Sequence, residues 1–291
     1  MSDPLRTRID SVEFLPTFPS VVGEVMSIIE DPRSSASDVV RHMDPSLVGE
    51  VLKVANSAYF GKKSFRRIGT VEQAVATIGY ANLSSIVLQM PFLSMLDGED
   101  RIFDRRGFVR HSLSVGVLAR AVSSAFRLGE PNTVYVSGIL HDIGSIIIYQ
   151  YFNEEWNRIN ELIQMAHMSR LEAEREVFSA DHAEVGAILL EKWDLPEATI
   201  EAVRLHHRRE DMGDNDNAYV TWLANRLGKE IDSPEDLANF GVFFEKQREL
   251  LHAELPQNYL LKHHVELFEQ AYHNLKDAEK LLEKTAEEKD D

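Results

Sequence analysis

The sequence predicts an all-α protein, and three observations carry that expectation. Apolar residues recur at three- and four-residue spacing along most of the chain. Ser, Thr and Asp residues stand just ahead of such runs at the distances of helix caps. No two alternating β-branched runs are joined by an Asn-Gly or Asp-Gly turn, so hairpins find no support. With 291 residues there is room for one large domain or two medium ones, and two is the preferred reading. A hydrophobic share of 44% is enough to bury a core and argues against disorder.

The elements follow in order. Val21-Val22, Val25-Met26 and Ile28-Ile29 mark one apolar helix face. Ser35 with Asp38 has capping-box spacing, Asp44-Pro45 offers an N-cap followed by proline at the first helical position, and Thr70 with Gln73 repeats the box; three short helices are expected from these signals. Asn56, at the end of an apolar helix, reads as a cap or turn-former. Lys62, Lys63, Arg66 and Arg67 around Phe65 read as a solvated basic turn, with attraction of an acidic partner or phosphate as the lesser alternative. Met90, Phe92, Leu93 and Met95 around Pro91 read as core at a helix kink, with an adaptable apolar surface for a partner as the lesser alternative. Asp181 with Glu184, and Ser233-Pro234 with Asp236, mark two later helix starts. From Lys262 onward, Val265, Leu267, Phe268, Ala271, Tyr272 and Leu275 give a charged helix one apolar face, which fades into the acidic end from Thr285 to Asp291.

The polar stretch Asp97-Gly98-Glu99-Asp100-Arg101 separates an apolar run ending at Leu96 from a helix beginning near Asp104. It predicts an N-terminal helical lobe over 14–96, a second helical lobe over 104–230 and a C-terminal helical extension with an acidic tail over 231–291. The connection is too short for a free linker, so the small N-terminal bundle should pack on the second lobe through an apolar interface.

Composition excludes several functions. There are no cysteines, which removes disulfides, thiolate metal sites and thiol catalysis and suits a reducing cytoplasm. A net charge of −17 opposes non-specific association with nucleic acid or an anionic membrane. Met1 to Asp10 carries Asp3, Arg6, Arg8 and Asp10 without a signal-type apolar run, and the apolar stretches near 86–96 and 143–148 fall short of the roughly 20 residues that span a bilayer. A cytoplasmic protein is the expectation.

The chemistry-bearing residues are His111, the dyad His141-Asp142, His182 and the pair His206-His207, all in the second lobe. Imidazole nitrogens and carboxylate oxygens are transition-metal ligands, and a carboxylate can bridge two ions so that a bound water becomes a nucleophile. Plainer readings stand beside this one. His111 lies at helical spacing with Val115 and Leu118 and could face the core; the dyad could be a polar pair at a helix break; His206-His207 could be surface residues beside Arg204, Arg208 and Arg209. Six ligand-type residues together favour a polar pocket over those separate alternatives. An imidazole-rich set would take one or two ions of iron, nickel, manganese or zinc in preference to magnesium.

The segments "LPTFPS", "DPSLVGEVLKVANSAYFG", "AVATIG", "HDIG" and "DHAEVGAILLEKWDLP", spread from about Phe14 to His207, closely resemble the HDOD family, the HD-related output domains of bacterial signalling proteins. The resemblance implies an all-helical fold whose second lobe is similar to the HD phosphohydrolase superfamily, including the HD-GYP phosphodiesterases that cleave cyclic dinucleotides. It places His111 at the first superfamily histidine, His141-Asp142 at the name-giving dyad, and His182, His206 and His207 at the additional HD-GYP ligands. Three departures stand out. Asn225 replaces the last metal-binding aspartate, Ser145 replaces the lysine that follows the dyad and glycine in HD-GYP enzymes, and no Gly-Tyr-Pro tripeptide follows His207. An amide brings no negative charge to offset a second dication, and loss of the lysine removes a cation beside a phosphate. The expectation is a signalling or regulatory module that binds a protein partner or nucleotide ligand, with a degenerate metal pocket and no catalytic residues to assign. The runner-up is a metal-dependent phosphohydrolase acting on a nucleotide or cyclic dinucleotide, and a third reading is a scaffold with an empty polar pocket.

Overall fold

The computed structural model describes residues 4–12, 20–31, 33–43, 45–56, 68–80, 82–84, 86–88 and 103–229, and every regular element among them is helical. The polar stretch 97–101, the basic turn 62–67, the Met90 to Met95 segment, the Ser233 start and the whole 231–291 extension lie outside the described residues.

The first helices are α1 (Pro4–Asp10), α2 (Ser20–Glu30), α3 (Ala36–His42), α4 (Pro45–Ala55) and α5 (Val71–Ile78). Ser35 and Asp38 form the reciprocal capping box at the start of α3. Thr70 caps α5 by accepting from the backbone of Gln73, but the Gln73 side chain accepts from Gly69 and not from the cap itself, so half of the predicted box is shifted by one residue. Asn56 closes α4 architecturally. Its amide donates to the carbonyls of Leu52 and Ile68 and its carbonyl accepts from Ile68 N–H, tying the two ends of the 57–67 segment together.

The second group comprises α6 (Arg105–Phe126), α7 (Pro131–Leu140), α8 (Ile143–Tyr151), α9 (Asn153–Ala166), α10 (Arg170–Phe178), α11 (His182–Lys192), α12 (Glu197–Leu205) and α13 (Asp216–Lys229). Asp104 caps α6 through Gly107 N–H, and Asp181 caps α11 through Glu184 N–H. Helices α7 and α8 are buried on all sides from Val134 to Leu140 and from Ile143 to Ile148, mostly by apolar residues, as central helices of a core must be. Two glycine contacts let this core close. A Cβ on Gly138 would lie 2.6 Å from the Gly116 Cα, and one on Gly144 would lie 2.6 Å from the Gly186 nitrogen, so α6 meets α7 and α8 meets α11 backbone to backbone.

Buried residues fall into two main clusters. One runs from Val22 to Val87 and the other spans the second group of helices. The short helix α1 belongs to the second: Ile9 is fully buried there, Arg8 lies over the Phe152 and Phe178 rings and pairs with Glu155, and Lys192 pairs with Asp10. The two clusters touch. Leu88 sits in the second core while its neighbours Ile86 and Val87 sit in the first, Met26 packs against both, and Arg120 of α6 hydrogen-bonds Asn82. Among the described residues, no helix is long and apolar enough to cross a membrane.

Candidate metal centre

The dyad sits where the chain turns from α7 into α8. Because both helices are buried along their length, this junction carries His141 and Asp142 into the interior, with His141 wholly inaccessible. Helix α6 supplies His111, the first residue of α11 is His182, and His206-His207 follow the last turn of α12. All six residues singled out in the sequence therefore converge. The surface reading of His206 is corrected: it is fully buried, because its ring turns inward at the end of α12.

Asp142 is the centre of the arrangement. Its Oδ2 faces His141 Nε2 at 3.2 Å and His111 Nε2 at 3.8 Å, while its Oδ1 faces His182 Nε2 at 3.0 Å and His206 Nε2 at 3.4 Å. His207 Nε2 lies 3.0 Å from His182 Nε2. Ligand atoms thus form two groups that share one carboxylate, Asp142 with His182, His206 and His207 on one side, and Asp142 with His111 and His141 on the other.

Hydrogen bonds behind the rings fix their tautomers. His141 Nδ1 is 2.7 Å from the Gly138 carbonyl and His206 Nδ1 is 2.6 Å from the Val203 carbonyl. A carbonyl only accepts, so each Nδ1 carries the proton and, in a neutral ring, each Nε2 carries a bare lone pair. Both Nε2 atoms are buried without a hydrogen-bond partner. They aim at a carboxylate, which is also a lone-pair donor. A cation set against Asp142 would give the carboxylate and the facing nitrogen a shared partner, His206 on one side or His141 on the other, so the residues present fit a metal ion. The 3.0 to 3.4 Å separations around Asp142 Oδ1 and His182 match the spacing of about 3.0 to 3.4 Å between ligand atoms held about 2.1 Å from one ion.

Electrostatics point the same way. Burial pushes His141 and His206 below the ordinary imidazole range, against the pull of Asp142, so both rings stay neutral. Burial and then the neighbouring His141 lower His111 to about 4. Burial, His206 and His182 depress His207 further. His182 is the exception. Burial opposes its charge, but the Glu174 carboxylate and Asp142 outweigh it and raise the ring to about 10. Asp142 loses hydration, yet His141 and His182 hold it well below the usual carboxylate range.

The two halves of the pocket differ. His111 Nε2 is 3.2 Å from the Asn225 side-chain oxygen, a hydrogen bond that satisfies this ring without an ion. Ser145 lies in the first turn of α8 and is buried, and its backbone N–H donates to the Asp142 carbonyl. Two contributors escape the sequence reading. Glu174 of α10 is fully buried, with Oε2 2.6 Å from His182 Nδ1. Lys229, at the end of α13, adds positive charge to the field at His111 and His207. On the outer side, Arg175 and Arg208 both donate to Asp181, fastening the start of α11 to the loop that follows His207.

The family model of the HDOD domain matches residues 15–209. The chain belongs to the HDOD family. Among curated relatives, an uncharacterized protein of Treponema pallidum (strain Nichols) is 27% identical over 203 residues, 68% of this chain and 38% of that protein, so this HDOD chain spans about two fifths of the relative's length. Three solved structures share its fold. An HDOD domain protein of unknown function from Geobacter sulfurreducens is 23% identical with a TM-score of 0.70, covering 93% of this chain and 96% of its own. A candidate phosphohydrolase from Shewanella amazonensis SB2B is 20% identical with a TM-score of 0.73, covering 94% and 97%. A candidate metal-dependent phosphohydrolase from the same organism is 19% identical with a TM-score of 0.64, also covering 94% and 97%.

Proposed function

We propose that this HDOD protein is a cytoplasmic regulatory module that acts by binding a signalling protein or nucleotide ligand, and that its pocket holds a single transition-metal ion with little or no hydrolytic turnover. The observation that carries this reading is the asymmetry of the pocket. On one side Asp142, His182, His206 and His207 offer one oxygen and three nitrogens. On the other, Asp142 and His141 are joined by His111, which already has a partner in Asn225, the amide that stands where the resemblance puts a second carboxylate. An ion on the His111 side would have to displace that hydrogen bond and would lack the second carboxylate, Glu174, that stands behind His182. Iron, nickel, manganese or zinc suits the imidazole-rich side better than magnesium does.

The runner-up is a metal-dependent phosphohydrolase, favoured by the way Asp142 turns one oxygen toward each half. Divalent ions bound there would supply Lewis acidity and a water nucleophile at neutral pH. The phosphohydrolase names of the two Shewanella structures agree with this reading, but likeness at 19–20% identity extends to fold. The missing charge at Asn225 and the serine at position 145 weigh against it.

A cyclic dinucleotide hydrolysis assay separates the two. The natural chain is expected to show negligible turnover, whereas Asn225→Asp should increase uptake of a second ion by restoring an anionic ligand. Rapid hydrolysis by the unmodified protein, abolished by Asp142→Ala, would overturn the binding-module reading.

A further inference from the structure

Glu174 is a fully buried carboxylate without a place in either group of ligand atoms. Burying a carboxylate costs several kcal/mol unless hydrogen bonds and opposite charge compensate. Here the compensation is directed almost wholly at one residue. Oε2 accepts from His182 Nδ1 at 2.6 Å and from the His182 backbone N–H at 2.9 Å. Oε1 accepts from Arg170 Nε at 2.8 Å, one turn earlier on the same helix, and the Arg170 guanidinium lies 4.8 Å from the centre of the Trp156 ring. His182 is thereby gripped by ring and backbone, and its Nε2 is left facing Asp142 Oδ1 and His207 Nε2 at 3.0 Å each.

The geometry points to Glu174 as the positioning residue of the pocket: it fixes His182 with the proton on Nδ1 and Nε2 turned to the ion, and Arg170 braces it. His141 and His206 take their tautomers from backbone carbonyls within their own helices. His182 begins its helix and has no such carbonyl behind it, so a side chain from α10 does the same work. A carboxylate also makes the imidazole a stronger donor than a carbonyl would.

This inference rests on the metal-pocket reading, and one experiment tells their failures apart. Untagged, metal-stripped wild type, Glu174→Gln and Glu174→Ala are titrated with zinc against a chromophoric chelator, and the His182 ring nitrogens are followed by ¹⁵N NMR. Glu174→Ala should bind zinc about 10- to 100-fold more weakly than wild type, the usual loss when a partner behind a metal ligand is removed. Glu174→Gln, which keeps an oxygen acceptor and the shape of the side chain, should recover part of that loss and guards against failure of the alanine variant to fold. In the metal-bound wild type the NMR signature should be a His182 ring protonated on Nδ1 alone. A purely structural role would lower the melting temperature of both variants and leave zinc affinity within about twofold, and that result overturns the inference while the metal pocket stands. Absence of stoichiometric zinc binding by the wild type overturns both.

Discussion

At the residue scale, the pocket holds four histidines whose burial keeps them neutral and one that the surrounding carboxylates keep charged, and these groups respond to pH in opposite directions. His111 has a folded pKa of about 4 against an ordinary value of 6.5. A group depressed in this way contributes stability that is present above 6.5 and lost as pH falls toward its folded value. His141, His206 and His207 are displaced in the same direction. His182, raised to about 10, contributes stability that is complete below 6.5, declines as pH rises above that value and is gone once pH passes about 10. Between pH 6.5 and 5 only the depressed histidines act, so the metal-stripped protein should melt at progressively lower temperature across that window. Melting curves in chelator at half-unit steps check it, and a constant or rising melting temperature would contradict the assignment. The raised His182 adds a second expectation. An ion must displace the Nε2 proton, so metal uptake near pH 7 should release protons and its heat should vary with the ionisation enthalpy of the buffer.

Residue by residue, the sequence makes part of this site visible and hides the rest for physical reasons. An ordered set of five histidines in one lobe stands out, and the structure gathers those five around Asp142, while His167 of the same lobe stays exposed. Asn225 is visible because a resemblance marks its position; its hydrogen bond to His111 needs the docking of α13 on α6. Glu174 is hidden. It lies in Arg170–Phe178, whose sequence RLEAEREVF carries an acid at every second position and looks like a solvated face. Glu172 takes the capping box with Ser169, Glu176 is exposed, and only docking against His182 buries the acid between them.

At the element scale, the pocket depends on close approach of helices more than on the ligands' own helical propensity. Asp142 reaches His182 because α8 lies directly on α11 at Gly144 and Gly186. A methyl at position 144 would meet backbone, which cannot rotate aside as a side chain can. Gly144→Ala is therefore expected to cost at least about 1–3 kcal/mol of stability, the range for overpacking, and to weaken metal binding by moving Asp142 from His182. Denaturant unfolding together with zinc titration measures both, and wild-type stability in this variant would show that the contact is slack. Helix starts were legible where a cap has a side-chain signature, as at Ser35, Thr70 and Asp181. The helix α1 was not legible. In this helix, PLRTRID, Ile9 is the one fully buried side chain among those described, and the helix is held by Arg8 on two aromatic rings and by ion pairs to α9 and α11, all of them distant in sequence.

At the scale of the whole molecule, the ligands come from two helices, α6 and α11, and from two connections, the α7–α8 junction and the turn after α12, and the first cluster of helices leans on the second through Leu88, Met26 and the Arg120–Asn82 bond. Such a pocket is assembled only when the second core is complete, so an ion bound there stabilises the fold as a whole and not one element. The all-α class follows from spacing and caps. The asymmetry of the pocket, with His111 hydrogen-bonded to an amide in one half and three imidazoles backed by the Glu174 carboxylate in the other, needs the three-dimensional structure.

The central claim is that this asymmetry selects a single transition-metal ion on the His182 side. Elemental analysis of protein purified without a histidine tag and without added metal tests it most directly, applied to the wild type, His111→Ala and His207→Ala. The wild type should carry about one ion of iron, nickel, manganese or zinc per chain, His111→Ala should keep it and His207→Ala should lose most of it. A metal-free wild type, a content of magnesium alone, or loss of the ion in His111→Ala with retention in His207→Ala would contradict the account.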